Sequence, residues 1–146
     1  MNKTTMLEAV EFQLKGIKTE QFALLADHYN PSKETGFKTQ FQFKIHAPSQ
    51  QIGVFGAFEF IQGKQVFMKI EISCHFFIGT IAWKGFQQSE GKFLIPKGFM
   101  AHLAMITTGT CRGVLFAKTE GSEFSKFIIP TLNVAEVIKE DGEFEG

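Results

Sequence analysis

Along residues 37–46 apolar and polar positions alternate, with Phe37, Phe41, Phe43 and Ile45 on one side and Lys38, Gln40, Gln42, Lys44 and His46 on the other. A period of two is the signature of a half-buried β-strand. After the turn residues Ala47, Pro48, Ser49 and Gln50, residues 52–61 put Ile52, Val54, Phe58 and Phe60 on one face and Phe55, Ala57, Glu59 and Ile61 on the other. Gln62, Gly63 and Lys64 read as a hairpin connection into a third long strand, where Val66, Met68, Ile70 and Ile72 oppose Phe67, Lys69, Glu71 and Ser73. An earlier strand is predicted between Phe12 and Leu25. The polar stretch 27–36 that follows it is too long for a tight hairpin.

The period changes after Ser89, Glu90 and Gly91. Pro96 suits the first turn of a helix, and Phe99, Leu103 and Ile106 recur at spacings of four and three, which predicts a helix over 96–117. Gly98, Gly109 and Gly113 each cost a helix interior about 1 kcal/mol relative to alanine. Gly109 and Gly113 share one face and would admit another backbone closely. A polar loop over 118–125 leads to Phe127, Ile128, Ile129 and Pro130, and a short helix is expected over 134–140 with Asn133 as its cap. The order predicts a single α+β domain over 1–146: a four-stranded antiparallel sheet, a long crossover loop after the first strand, then a long and a short C-terminal helix on one face.

Composition adds a surplus. The chain has 18 Phe against 8 Leu, and phenylalanine suits pleated, half-buried surfaces. With Phe41, Phe43, Phe58, Phe60, Met68 and Ile70 facing the helix, Phe55, Ile61 and Phe67 are expected on the far side of the sheet, and Phe22, Tyr29 and Phe124 in or beside loops. Apolar surface of that extent marks an interface, either between copies of the chain or with unfolded apolar segments of other chains.

Charge narrows the partners. Lys plus Arg equals Asp plus Glu at 15 each, and Arg112 is the sole arginine. A chain so balanced lacks the basic excess and the guanidinium forks of a nucleic-acid binder. Residues 134–146 hold five acids against Lys139, a tail of net −4 on a body of net +4. Two cysteines, Cys74 and Cys111, are too few for a disulfide scaffold and point to a reducing compartment. No run approaches the roughly 18 apolar residues of a membrane span, and residues 1–11 carry no apolar leader core, so a cytoplasmic protein without membrane insertion is expected.

Catalytic signatures are missing. Cys74 and His75, adjacent in a strand, point to opposite faces, while His102 and Cys111 lie on opposite sides of the helix, so neither pair can share a metal ion. There is no Gly-x-Ser-x-Gly elbow, and Gly63-Lys64 and Gly91-Lys92 lack the spacing of a phosphate loop. Glu59 and Glu71 could face each other across strands, but a solvated sheet face explains them more simply. No enzymatic activity and no cofactor are expected.

The element order resembles the SecB family of protein-export chaperones. The resemblance runs through Phe12-Gln13-Leu14-Lys15-Gly16-Ile17-Lys18-Thr19 in the first strand, residues 66–78 in the last, Leu94-Ile95-Pro96 opening the helix, Arg112-Gly113 near its end, and Pro130-Thr131-Leu132-Asn133 before the final helix. It implies a homotetramer, a dimer of dimers with the long helices sandwiched between sheets, that holds unfolded or precursor polypeptides in apolar grooves without cofactor or nucleotide. By that analogy the client-binding residues are Phe22, Tyr29, Phe37 and Phe55, flanked by Val134 and Val137. Members that deliver clients to the SecA translocase motor carry carboxylates where this chain has Gln21, Leu25 and Lys69, so docking to SecA is expected to be poor. The segment 114–129 is also longer than the family's short link. A dedicated client, as for SecB-like guardians of antitoxins in toxin-antitoxin systems, fits this pattern. The alternative is a small-ligand module or hot-dog-like enzyme, which would place its helix earlier and an acid near the helix start; residues 96–105 contain none.

Overall fold

The computed structural model describes residues 10–146; the reading of residues 1–9, both as part of the domain and as lacking a leader, lies outside them. Four strands build the main sheet: β1 (Phe12–Leu24), β2 (Gly36–His46), β3 (Gln51–Gln62) and β4 (Gln65–Ile78). They lie in the order β1-β4-β3-β2, every neighbour antiparallel. The first two strands therefore occupy opposite edges, and the connection between them crosses the end of the β3–β4 hairpin. That hairpin turns at Gly63, whose φ of 63° is left-handed backbone.

The alternation predicts the buried face well. Ile52, Val54, Phe58, Phe60, Met68, Ile70, Ile72, Cys74, Phe76 and Ile78 form its buried floor, with Phe37, Phe41, Phe43 and Ile45 packed beside them. Phe67 departs from expectation. A register shift between Phe60 and Ile61 breaks the pairing opposite it, and its ring is fully buried in the core instead of lying on the far face. The inserted residue of a bulge redirects side chains locally.

The long helix α2 (Lys97–Thr119) starts after Pro96 and carries Met100, Leu103, Ala104, Thr107, Thr108, Cys111, Leu115 and Thr119 into the core. Its buried threonines satisfy their hydroxyls locally: Thr107, Thr108 and Thr119 donate to the carbonyls of Leu103, Ala104 and Leu115 at 2.8–2.9 Å. Phe12 meets Phe99 and His102 near one end of α2, and Lys118 stands over Phe22 near the other, so the helix runs alongside β1.

Three features extend the expected pattern. A helix α1 (Thr80–Phe86) follows β4 and buries Trp83 and Phe86. A second sheet, β5 (Gln87–Ser89), β6 (Lys92–Ile95) and β7 (Gly142–Glu145), joins the segment before α2 to the C-terminal tail. The short helix, expected over 134–140, is one turn, α3 (Val134–Val137). Acids at 140, 141 and 143 lie at the wrong end of a helix dipole, and the tail extends into β7 instead.

Candidate binding surface

The crossover is tied down by one buried side chain. Gln62 accepts from the Asn30 N–H at 2.9 Å through Oε1, while its amide donates to the Asn30 carbonyl at 3.0 Å and reaches Lys33 O and Thr35 Oγ1 at 3.4 and 3.3 Å. The Leu25 N–H donates to Phe67 O at 2.7 Å. These bonds set Tyr29 on the core, where its ring lies 4.9 Å from Phe67, 5.2 Å from Phe124 and 5.5 Å from Phe127. Lys126 sits over the same ring, and the Tyr29 hydroxyl beside it raises the ammonium pKa.

The six sequence-derived candidates do not share one groove. Phe22, Tyr29 and Phe37 are half-buried on the helix-bearing side, Phe37 stacking on Phe58 and meeting Phe60 edge-on. Phe55 lies on the opposite side of the sheet, its ring under the Lys44 ammonium and 5.8 Å from the His75 ring. Strand alternation separates it from Phe58 and Phe60, so the sheet itself stands between Phe55 and the other five. Val134 is buried and Val137 is 42% exposed on the single turn of α3. Phe124, expected beside a loop as surplus, is buried, because the loop 118–125 folds a 3₁₀ turn back over the Tyr29 cluster.

Apart from Val137 on α3 and Ile81 on α1, which is 92% exposed, the exposed large apolar side chains fall in two parts. Beside the aromatic cluster, Leu25 and Ile128 are 44% and 58% exposed. Along β1 and α2, Leu14, Ile17, Met105 and Phe116 are each about half exposed, at 41–53%. The outward side of α2 carries a stripe of Gly98, His102, Met105, Gly109, Gly113 and Phe116, flanked by Arg112, with Lys97 and Lys118 exposed at the helix ends. A surface helix is ordinarily polar there. A Cβ built on Gly98, Gly109 or Gly113 would meet nothing within 4 Å, so no contact inside the chain requires these glycines.

Compared with known proteins, the chain matches no family model, no curated protein and no solved structure. Among the described residues no group of His, Cys, Asp and Glu is placed to hold a metal ion, and no helix is long and apolar enough to cross a membrane. Cys74 and Cys111 are free and fully buried. Burial, and then the neighbouring Cys74, pushes the Cys111 thiol up to about 12 against a small opposing effect of Arg112. A thiol held neutral in this way is a poor nucleophile.

The outer sheet face joins a few polar groups. Ser73 donates to Glu20 at 2.7 Å and lies 3.0 Å from His75 Nε2, but Ser73 is fully buried, out of reach of a substrate. Glu59 pairs with Lys69 at 3.5 Å, which leaves no facing carboxylate pair with Glu71. Residues that the sequence did not single out are Gln62, which holds the crossover, and Arg112 in its structural role. Arg112 Nε and Nη2 donate to the carbonyls of Ile129 and Pro130 at 2.7 and 2.8 Å, fastening the connector to α2. A Gln ending an apolar strand and the chain's sole Arg were the available signals.

Proposed function

We propose that this chain is a SecB-like holdase chaperone that takes up apolar segments of unfolded polypeptides beside its crossover, working as an oligomer joined through the β1–α2 face. One observation carries the reading: the long helix bears an outward stripe, Gly98, Met105, Gly109, Gly113 and Phe116, that is glycine or apolar and that the chain itself leaves open. Side chains such as Ile17, Met105 and Phe116 left half in water favour assembly or capture of apolar chain. The glycines of α2 suit the closer approach of a second backbone there, and Tyr29 with Leu25 and Ile128 suits the transient contact of a client. The placement of β1 and β2 on opposite edges, joined by a pinned crossover, supports the resemblance at the level of topology.

The outer face carries Lys18, Lys38, Lys44 and Lys69 among Glu20, Glu59 and Glu71, a mixed surface that favours a dedicated client over docking to a cationic translocase motor. The deciding experiment dilutes an unfolded test protein from denaturant and follows light scattering. The expected outcome is suppressed aggregation with this protein in excess and no nucleotide. Unchanged scattering, with this protein folded, overturns the reading.

A further inference from the structure

The C-terminal tail ends as a strand seated in a formed site. β7 pairs antiparallel with β6, Phe93 opposite Phe144 and Lys92 opposite Glu145. Phe144 is half-buried against the core, whereas Glu143 and Glu145 point outward. Upstream, Asp141 Oδ1 accepts from the Lys97 N–H at 2.9 Å, supplying the first turn of α2 with an acid that its own sequence lacks. Gly142 lies close-packed between them: a Cβ there would stand 2.5 Å from the Phe144 ring and 2.6 Å from the Met100 sulfur, so these side chains would have to move. Gly146 closes against Ala47, Ile45 and Phe93.

We propose that the β6 edge is a binding site for an extended, acidic segment of another polypeptide bearing one aromatic residue, and that the tail occupies it as an internal stand-in. The proposal rests on the client-binding reading and names a second place where a client is held. Three features fix the occupant's chemistry. The ladder needs an extended backbone with free N–H and C=O groups. The aromatic side chain must reach the space between Phe93 and Met100. One acid, Asp141, caps the amino end of α2, and Glu145 stands opposite Lys92 in the ladder, on a body whose net charge of +4 opposes a tail of −4. A tethered strand competes at an effective concentration of about millimolar, so a client displaces it only when it binds well or is itself held elsewhere on the protein.

The test uses the full-length chain and a fluorescent peptide with the sequence of residues 138–146. Two variants release the tail by different routes, Phe144→Asp by removing its anchor and Gly142→Val by the clash described. Both are expected to bind the peptide at least tenfold more tightly than the unaltered chain, and the peptide carrying Glu143→Lys and Glu145→Lys is expected to lose that binding. Equal affinity for variant and unaltered chains overturns the proposal. So does a fall in oligomer mass on Phe144→Asp, which would assign the site to a tail exchanged between copies. Failure of the chaperone reading is distinct: the peptide binds the variants, yet scattering of an unfolded test protein is unchanged.

Discussion

Gln62 and Arg112 do at single positions what their neighbours cannot. Each satisfies backbone groups of a segment far away in sequence, and removing either leaves part-buried backbone groups without their protein partner. Gln62→Leu is expected to cost about 1–3 kcal/mol in denaturant unfolding and to speed amide exchange in residues 26–35. Arg112→Ala should cost about as much while loosening residues 127–132 instead. Cys111 couples stability to alkali. Its pKa is 9.0 unperturbed and about 12 in the folded chain, so its contribution is intact below pH 9 and is lost as pH rises from 9 towards 12. The slope is at most one proton, about 1.4 kcal/mol per pH unit. Urea unfolding across that range should show the decline, and Cys111→Ala should flatten it.

Among the elements, α2 makes the sharpest statement about what covers it. In an isolated chain Gly109→Ala and Gly113→Ala should each stabilise the helix by about 1 kcal/mol. At a close-packed helix contact, bulkier Gly109→Leu and Gly113→Leu should lower the oligomer mass seen by light scattering while the subunit stays folded. Tyr29→Asp is expected to weaken client retention without changing that mass, and Phe55→Asp, across the sheet, to leave retention unaltered. The elements differ in how far they could be read in advance. The strands of the main sheet were legible because one face is buried along their whole length, so Phe41, Phe43 and Ile45 had to alternate with charge and amide. Phe67 was not, since a bulge inverts the rule for one residue. Neither was the small sheet, whose three- and four-residue strands are shorter than any periodicity can establish. The tail's acids spoke for solvent, and only the Lys97 amide and the Phe93–Met100 gap, brought together by folding, make room for them. Of the six candidates, five share the helix-bearing side, and the sixth follows from strand parity that places Phe55 opposite Phe58.

At the scale of residues 10–146, the two-sheet arrangement ties β1 and β7 to the middle of the chain. The tail closes over the start of α2, and β1 closes over the end of β4. The first closure rests on a four-residue ladder, so amides at residues 142–146 should exchange faster than those of the main sheet. The edge strand β2 presents Lys38 and Lys44 along its outward side, an arrangement that discourages strand-to-strand aggregation.

The crossover also dictates an order of events during synthesis. Phe12 is paired with Ile78, whereas Phe37 finds Phe60 across a hairpin. As the chain leaves the ribosome, β2 and β3 can close first, and β1 waits without a partner until the whole of β4 has emerged. Through that interval Leu14, Ile17 and Phe22 are bare on a nascent strand, so the protein proposed to shelter unfinished chains is for a time such a chain itself.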